Sequence, residues 1–443
     1  MENYHESAKN NEVLDSKWYE RFSEISFEDY EKLAGHKVER EEQKEQFLSD
    51  EIKNPQLDYP ELETFDLEAR EVSLCQLKEE ILADEPNEAV AKIYRTKINE
   101  MLATTRMLKA ARDGDDRVFS RYADFIYGTP DTSDANYIIR SVQDMVGKNI
   151  QSDNQNRQAA AQRLSLYLGD IDTSDDGGVD RSILPEGQEI PGSATNVDEV
   201  VEAFEDALAD LGIDDWDVVV DTEKGLTNFS VSQEHKVVRV PEQEKLQARN
   251  LSKQKLQGLI AHEIYTHVAR RHNGEHSKLK LLGLGLDRHI QAEEGIATYA
   301  EQQVTGAKEF AGIPRYLSVL IAKGVDGVPK DFRATYEIMK DYRLLASSKQ
   351  EVESSDVESD AYNDCVRIFR GTSCSTPGAV YPKDMAYFGN RKIWSLVAQD
   401  SDIVQYFSVG KYDPANSEHV ALLIKLGILD SELDDLAAEH DQK

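Results

Sequence analysis

From residue 61 to residue 167 apolar residues recur every three or four positions. The runs "EVSLCQLKEEILA", "EAVAKIYRTKINEMLATTRMLKAA" and "SDANYIIRSVQDMVGKNI" carry the spacing of helices that pack on one face. Between the last two, "IYGTPDTSD" reads as a turn followed by a helix start. The rhythm stops over residues 168–195, "LGDIDTSDDGGVDRSILPEGQEIPGSAT", whose Asp, Gly, Ser and Pro mark a linker or loop. It resumes in "NVDEVVEAFEDALADLGI" as an amphipathic helix with an Asn cap and a Gly near its end. Three short segments follow, "WDVVVD", "NFSVSQ" and "KVVRVP", which read as strands. A further helix opens near Ser252 and is predicted to stop at Gly274, a residue suited to the left-handed position after a last turn. Beyond it the chain is mainly helical and closes in an acidic tail, "ILDSELDDLAAEHDQK". The pattern predicts a predominantly helical α+β protein. It divides into a helical subdomain over 61–167, a linker or loop over 168–195, and a core over 196–443 in which a small β-sheet packs on the 252–274 helix.

Composition changes this picture first at the N-terminus. Residues 1–60 are dominated by charge and isolated aromatics, as in "EREEQKEQFLSDEIKN", and read as an acidic extension, solvated or loosely docked. Across the 443 residues, 51 Lys and Arg stand against 84 Asp and Glu, a net charge of −33. So acidic a body repels phosphate backbones and anionic headgroups, which argues against nucleic acid and membrane surfaces as partners. Three scattered cysteines with no CxxC spacing argue against a disulfide framework. No signal-like start and no apolar run of membrane-spanning length are visible, so a soluble, cytoplasmic protein is expected.

The chemistry concentrates in "LIAHEIYTHVARRHNG", residues 259–274. His262 and His267 bracket Glu263 as in a zinc hydrolase helix, but five residues apart rather than four. At four residues two histidines differ by about 40° around a helix, so both imidazoles reach one ion. At five the difference is roughly 140° on a regular helix, too far for a shared metal. A local widening to i→i+5 bonding brings it down to roughly 50°, and such turns recur at functional sites. The apolar stripe Leu256, Ile260, Ile264 and Val268 sharpens the choice: on a regular helix His267 would point into that face and His262 away from it. A third ligand is available in "RHIQAEEGIATYAEQQ". There Glu294, preferred over its neighbour Glu293, is expected to complete a His2Glu set, with small residues at Ala292, Gly295, Ala297 and Ala300 allowing the helices to approach. Lys and Arg outnumber acids from residue 245 to 294, a local reversal that suits a substrate carboxylate.

With these residues in hand the chain resembles a known family, the HExxxH metallopeptidases that include the microtubule-associated tyrosine carboxypeptidase of animals. Bacterial members of that family are labelled flavohaemoglobin-expression-modulating QEGLA-motif proteins. Where they carry "HEIGTH"-like and "QEGLA" or "EEGLA" signatures, this sequence has "HEIYTH" and "EEGIA". Weaker likeness lies in "IYGTPD" at 126–131 and in "VRIFRGTS" and "VYPKDMAYFGN" between 366 and 390. The resemblance implies a zincin-like core, with Zn2+ held by His262, His267 and Glu294 and with Glu263 as general base. The departures, Tyr265 for a small residue and Ile296 for leucine, fall outside those ligands.

A zinc hydrolase of this kind needs a donor for the developing oxyanion, and Tyr299 is the candidate. A carboxypeptidase also needs a cation for the terminal carboxylate, for which Arg367 and Arg370 in "VRIFRG" are the candidates. The expected partner is a peptide or protein C-terminus. Tubulin is not carried over, because a chain at −33 resists so acidic a tail. "NFSVSQ" would pair with an extended peptide if it lies at a sheet edge. Two other readings use the same residues. Two histidines and a carboxylate also form the facial triad of non-haem Fe(II) proteins, and the metal site of an inactive binding or regulatory protein would look alike.

Overall fold

A computed structural model of the protein describes residues 12–35, 37–178, 181–222, 229–348 and 353–430. The first residues of the N-terminal extension and the acidic tail from residue 431 lie outside them. The fold is α+β and predominantly helical, as the apolar periodicity predicts. Local signals account for the helix ends. Asn87 caps the helix Glu88–Asp113, which ends at Gly114 with φ 72°. Asp131 accepts from the Ser133 and Asp134 amides at the start of Thr132–Asn149, and Asn196 does the same for Val197–Asp210.

The three predicted strands form one mixed sheet. β1 (Asp217–Asp221) runs parallel to β3 (Val237–Pro241), and β2 (Ser230–Ser232) pairs antiparallel with the other side of β3. "NFSVSQ" therefore supplies an edge strand. Val238 and Val240 of β3 are fully buried against Phe204 and Leu208 of Val197–Asp210 and against Leu256, Ile260, Ile264 and Val268. The small sheet, the helix Val197–Asp210 and the helix that carries the histidines thus share one core, and the apolar stripe read from the sequence lies in it.

A larger helical core lies alongside. It joins Leu74, Ile98, Ile138 and Leu164 from before the 168–195 loop to Leu317, Met339, Cys365 and Trp394 from after it. The N-terminal extension belongs to this core too. Trp18, Phe22 and Phe47 are buried in it, the Trp18 indole donates to Glu85 at 2.6 Å, and buried Asp15 accepts from the Tyr94 hydroxyl at 2.8 Å. The loosely docked reading is corrected: three aromatics spaced among charges are anchors, because each buries an apolar ring while its charged neighbours stay wet. Among the described residues no helix is long and apolar enough to cross a membrane.

Candidate metal centre

The helix that opens at Ser252, whose hydroxyl caps the Lys255 amide, is α-helical from Lys253 to His262. From Glu263 to Val268 it widens to π geometry, and it is α-helical again over Ala269–Glu275. The extra residue between the histidines is absorbed by that turn. The Thr266 hydroxyl donates to the Ala261 carbonyl five residues back at 3.0 Å, one way the widened turn satisfies its backbone. Tyr265 is 42 % exposed and reaches the Asp210 carboxylate, so the bulky residue inside the motif stays outside the site. The predicted stop at Gly274 is corrected. The helix runs one residue further, and a Cβ at 274 would strike the backbone of Leu282 and Gly283. This glycine serves close packing, not a left-handed cap.

The consequence of the wide turn is convergence. The two imidazoles lie with ring centroids 5.0 Å apart, and one ligand atom each of His262, His267 and Glu294 falls within 4.8 Å of the others. His262 Nε2 is 3.9 Å from Glu294 Oε2. That oxygen is buried without a hydrogen-bond partner among the described residues, a state that costs about 1–3 kcal/mol unless something cationic meets it. Orphaned oxygen and borderline-soft nitrogens together suit a divalent ion of the zinc type.

Two carboxylates that the sequence reading left unassigned hold the rings. His262 Nδ1 lies 3.1 Å from Glu301 Oε2, and His267 Nδ1 lies 2.9 Å from Glu293 Oε1. Each carboxylate selects the Nδ1–H tautomer and leaves Nε2 with its lone pair toward the centre. Glu293, the neighbour of the ligand candidate, is thus an orienting group. Its other oxygen is 2.7 Å from Arg270 Nε, an ion pair too poorly aligned to be a hydrogen bond, and Lys411 Nζ stands 3.5 Å from the oxygen that meets His267. Buried Arg270 is in turn fixed by the Phe407 and Tyr412 carbonyls. Burial pushes Glu293 up, but Lys411, Arg270 and His267 more than offset it and hold the carboxyl well below its usual range. Burial likewise pushes His262 down, yet Glu301, Glu263 and Glu294 prevail, and the metal-free imidazole is pushed up to about 9. A signal for Glu301 existed: seven residues after Glu294, it falls on the same helix face.

Glu263 is half-buried beside His262 and has neither hydrogen bond nor ion pair among the described residues. Tyr299 is buried, its ring tilted against Trp394 and edge-on to Phe407 and its hydroxyl accepting from Gln303 at 3.0 Å. Arg367 is bonded to Asp384, and the Arg370 guanidinium lies 4.6 Å over the Tyr30 ring. The helix Ile290–Thr305 approaches the histidine helix at Gly258, where a Cβ would come within 2.6 Å of Thr305. Gly295 faces elsewhere: a Cβ there would lie 2.8 Å from the carbonyl carbon of Gly389. The small residue expected to serve the histidine helix instead admits the short 3-10 segment Pro382–Gly389. That segment brings in Tyr387, a phenol the sequence reading did not single out. The Glu294 charge is the largest influence raising its pKa.

A family model described as microtubule-associated tyrosine carboxypeptidase matches residues 183–433, more than half of the chain. The chain belongs to that family. The match takes in the strands, both histidines, Glu294, Glu301 and Tyr387 and leaves out everything before residue 183. Neither the curated proteins nor the solved structures give a match. Membership in this carboxypeptidase family makes the protein a peptidase-type enzyme with peptides or proteins as the substrate class.

Proposed function

We propose that the chain is a zinc-dependent metallopeptidase of the carboxypeptidase type, with His262, His267 and Glu294 as the metal ligands and Glu263 as general base. The observation that carries this reading is the π turn, which turns two histidines five residues apart toward one carboxylate. Likeness to the bacterial QEGLA-motif proteins, resting on "HEIYTH" and "EEGIA", is part of the same proposal. The family's name speaks of a terminal tyrosine; for this chain we propose only a peptide or protein C-terminus.

Bound zinc supplies a Lewis acid for the scissile carbonyl and acidifies water toward neutrality. The protein does the rest. Glu301 and Glu293 fix the imidazoles before substrate arrives, so no reorganisation is needed during reaction. Glu263, unpaired beside His262, accepts the proton of the attacking water on its carboxylate and returns it to the leaving nitrogen. The water oxygen bonds to the carbonyl carbon, the C–N bond breaks, and a carboxylate and an amine result. Two phenols compete for the role of oxyanion donor. Tyr299 is the candidate read from the sequence, but its ring sits in the aromatic core. Tyr387 answers to the charge of Glu294, which favours it. Arg367 and Arg370, the cations read from the sequence for the substrate carboxylate, are engaged by Asp384 and by the Tyr30 ring, and edge strand β2 is available to an extended peptide.

Elemental analysis of protein purified without added metal, beside a Glu294→Ala variant, tests the centre. About one zinc per chain in the wild type and a large loss in the variant are expected; iron in place of zinc would move the reading to the Fe(II) triad. Glu263→Gln should retain the metal and lose peptide cleavage by at least about 100-fold. Turnover close to wild type would remove Glu263 as base.

A further inference from the structure

Three glycines draw a second wall up to the candidate centre. Gly295, next to Glu294, admits Gly389, and Gly389 itself lies so close to the Gln291 carbonyl that no side chain fits between them. At the other end Gly312, with φ 85°, leaves its would-be Cβ 2.7 Å from the Phe388 nitrogen and the Tyr387 carbonyl carbon. The helix Ile313–Lys323 therefore starts against the same segment, and its third residue, Arg315, lays its guanidinium 3.9 Å from the centre of the Tyr387 ring. One aromatic ring separates this cation from the surroundings of Glu294.

The arginines of this wall are not equivalent. Arg367 is taken by Asp384, and Arg370 lies under Tyr30. Arg315 is half-buried and has no hydrogen bond or ion pair from its guanidinium among the described residues. Two carboxylates feel its charge. Asp364 is already held by Arg343 at 2.6 Å. Asp384 is pushed up by burial but brought below its usual range by Arg367, with Arg315 and Arg370 behind it. A planar cation pre-set on an aromatic face, with its donors unspent, is built to take a carboxylate in bidentate fashion.

We propose that Arg315, stacked on Tyr387, receives the free α-carboxylate of the substrate's last residue. This contact makes the enzyme trim C-termini instead of cutting within chains. The inference rests on the hydrolase reading and deepens it: the ligand class is a peptide with an unblocked C-terminus, and its anchor comes from a helix in which the sequence reading saw no chemistry.

The test uses the full chain loaded with zinc and a set of synthetic decapeptides that differ in the last residue, each made as the free acid and as the C-terminal amide. Wild type should process acids and leave amides. Arg315→Met, with unchanged zinc content, should raise KM for the acids about 10- to 100-fold, the worth of a charged hydrogen-bonded pair, with little change in kcat. Arg315→Lys should recover part of the loss and serves also if the methionine variant does not fold. In a second arm, Glu263→Gln protein should bind acids over amides by fluorescence anisotropy, and adding Arg315→Met should erase that preference. Cleavage of acids that ignores Arg315 overturns the anchor and leaves the hydrolase. Selective binding of acids without turnover overturns the hydrolase and leaves the anchor. No preference for acids in either arm overturns the anchor outright.

Discussion

Glu301 and Glu293 perform one task from opposite surroundings. The side chain of Glu301 is 37 % exposed, that of Glu293 only 4 %. Glu301→Gln should therefore weaken zinc about 10- to 100-fold in chelator competition while leaving the melting temperature nearly unchanged. Glu293→Gln should weaken zinc as well and also destabilise the fold, by about 3–5 kcal/mol in denaturant titration, because Arg270 and Lys411 would stay buried with their charge uncompensated. Equal stability of the two variants would mean that the buried cations find other partners. At this scale the sequence was legible where a motif repeats a chemical need: His262, Glu263, His267 and Glu294 stand out by type and spacing. Glu301 left only the weaker signal of sharing a helix face with Glu294, and Glu293 and the Tyr387–Arg315 pair left none, because Glu293 lies next to Glu294 on a different face and the pair, 93 and 21 residues away by number, meets the centre only through tertiary packing.

One helix turn decides whether the centre exists. The sequence posed a choice between distortion and unrelated histidines, and the stripe Leu256–Ile260–Ile264–Val268 sharpened that choice without making it, since on a regular helix His267 would point into the stripe and His262 away from it. The structure takes the distorted form. Deleting exposed Tyr265 should return the turn to α geometry, set the histidines about 40° apart, and keep metal binding. Inserting an alanine at the same place should swing His267 about 100° away and abolish it. Zinc stoichiometry of the two variants decides; loss in the deletion would show that the wide turn does more than absorb a residue. The Gly295 contact makes a second prediction. Gly295→Ala should cost about 1–3 kcal/mol by pressing on Gly389. Activity should fall further than stability alone explains, as the Tyr387 segment is displaced. What could not be read at this scale was direction: periodicity identified a run of small residues but not which neighbour each one admits.

In the whole molecule, the N-terminal extension, the helices before the loop and those after it share apolar surface. Composition hid this, since Trp18 and Phe22 are diluted among charges, and only burial distinguishes an anchor from an ornament. Trp18→Ala or Phe22→Ala should lower stability by about 3–5 kcal/mol, measurable by chemical denaturation. Asp287, which leads into the Glu294 helix, ties it to the far end of the chain through His419, 3.5 Å away. Burial raises this carboxyl, but His419 with Thr96 and Lys97 brings it from 3.8 to about 2. A depressed acid stabilises the fold above its unfolded pKa, and that stability disappears as pH falls from about 4 through 2. Asp287→Asn should thus cost at most about 2 kcal/mol at neutral pH, with the gap to wild type closing near pH 2.

The extension also touches the second wall. Buried Asp29 is bonded to Tyr127, accepts from Tyr381 at 2.8 Å and pairs with Lys383 at 3.4 Å, and the Tyr30 ring covers Arg370. The stretch that carries the family likeness begins only at residue 183. Excised as a cassette, it would leave behind the counterion of Lys383 and the helices against which Leu317 and Met339 close. Inheritance of this chemistry is therefore bound to the helical escort upstream, and a gene fragment cut at the family boundary would yield an insoluble product.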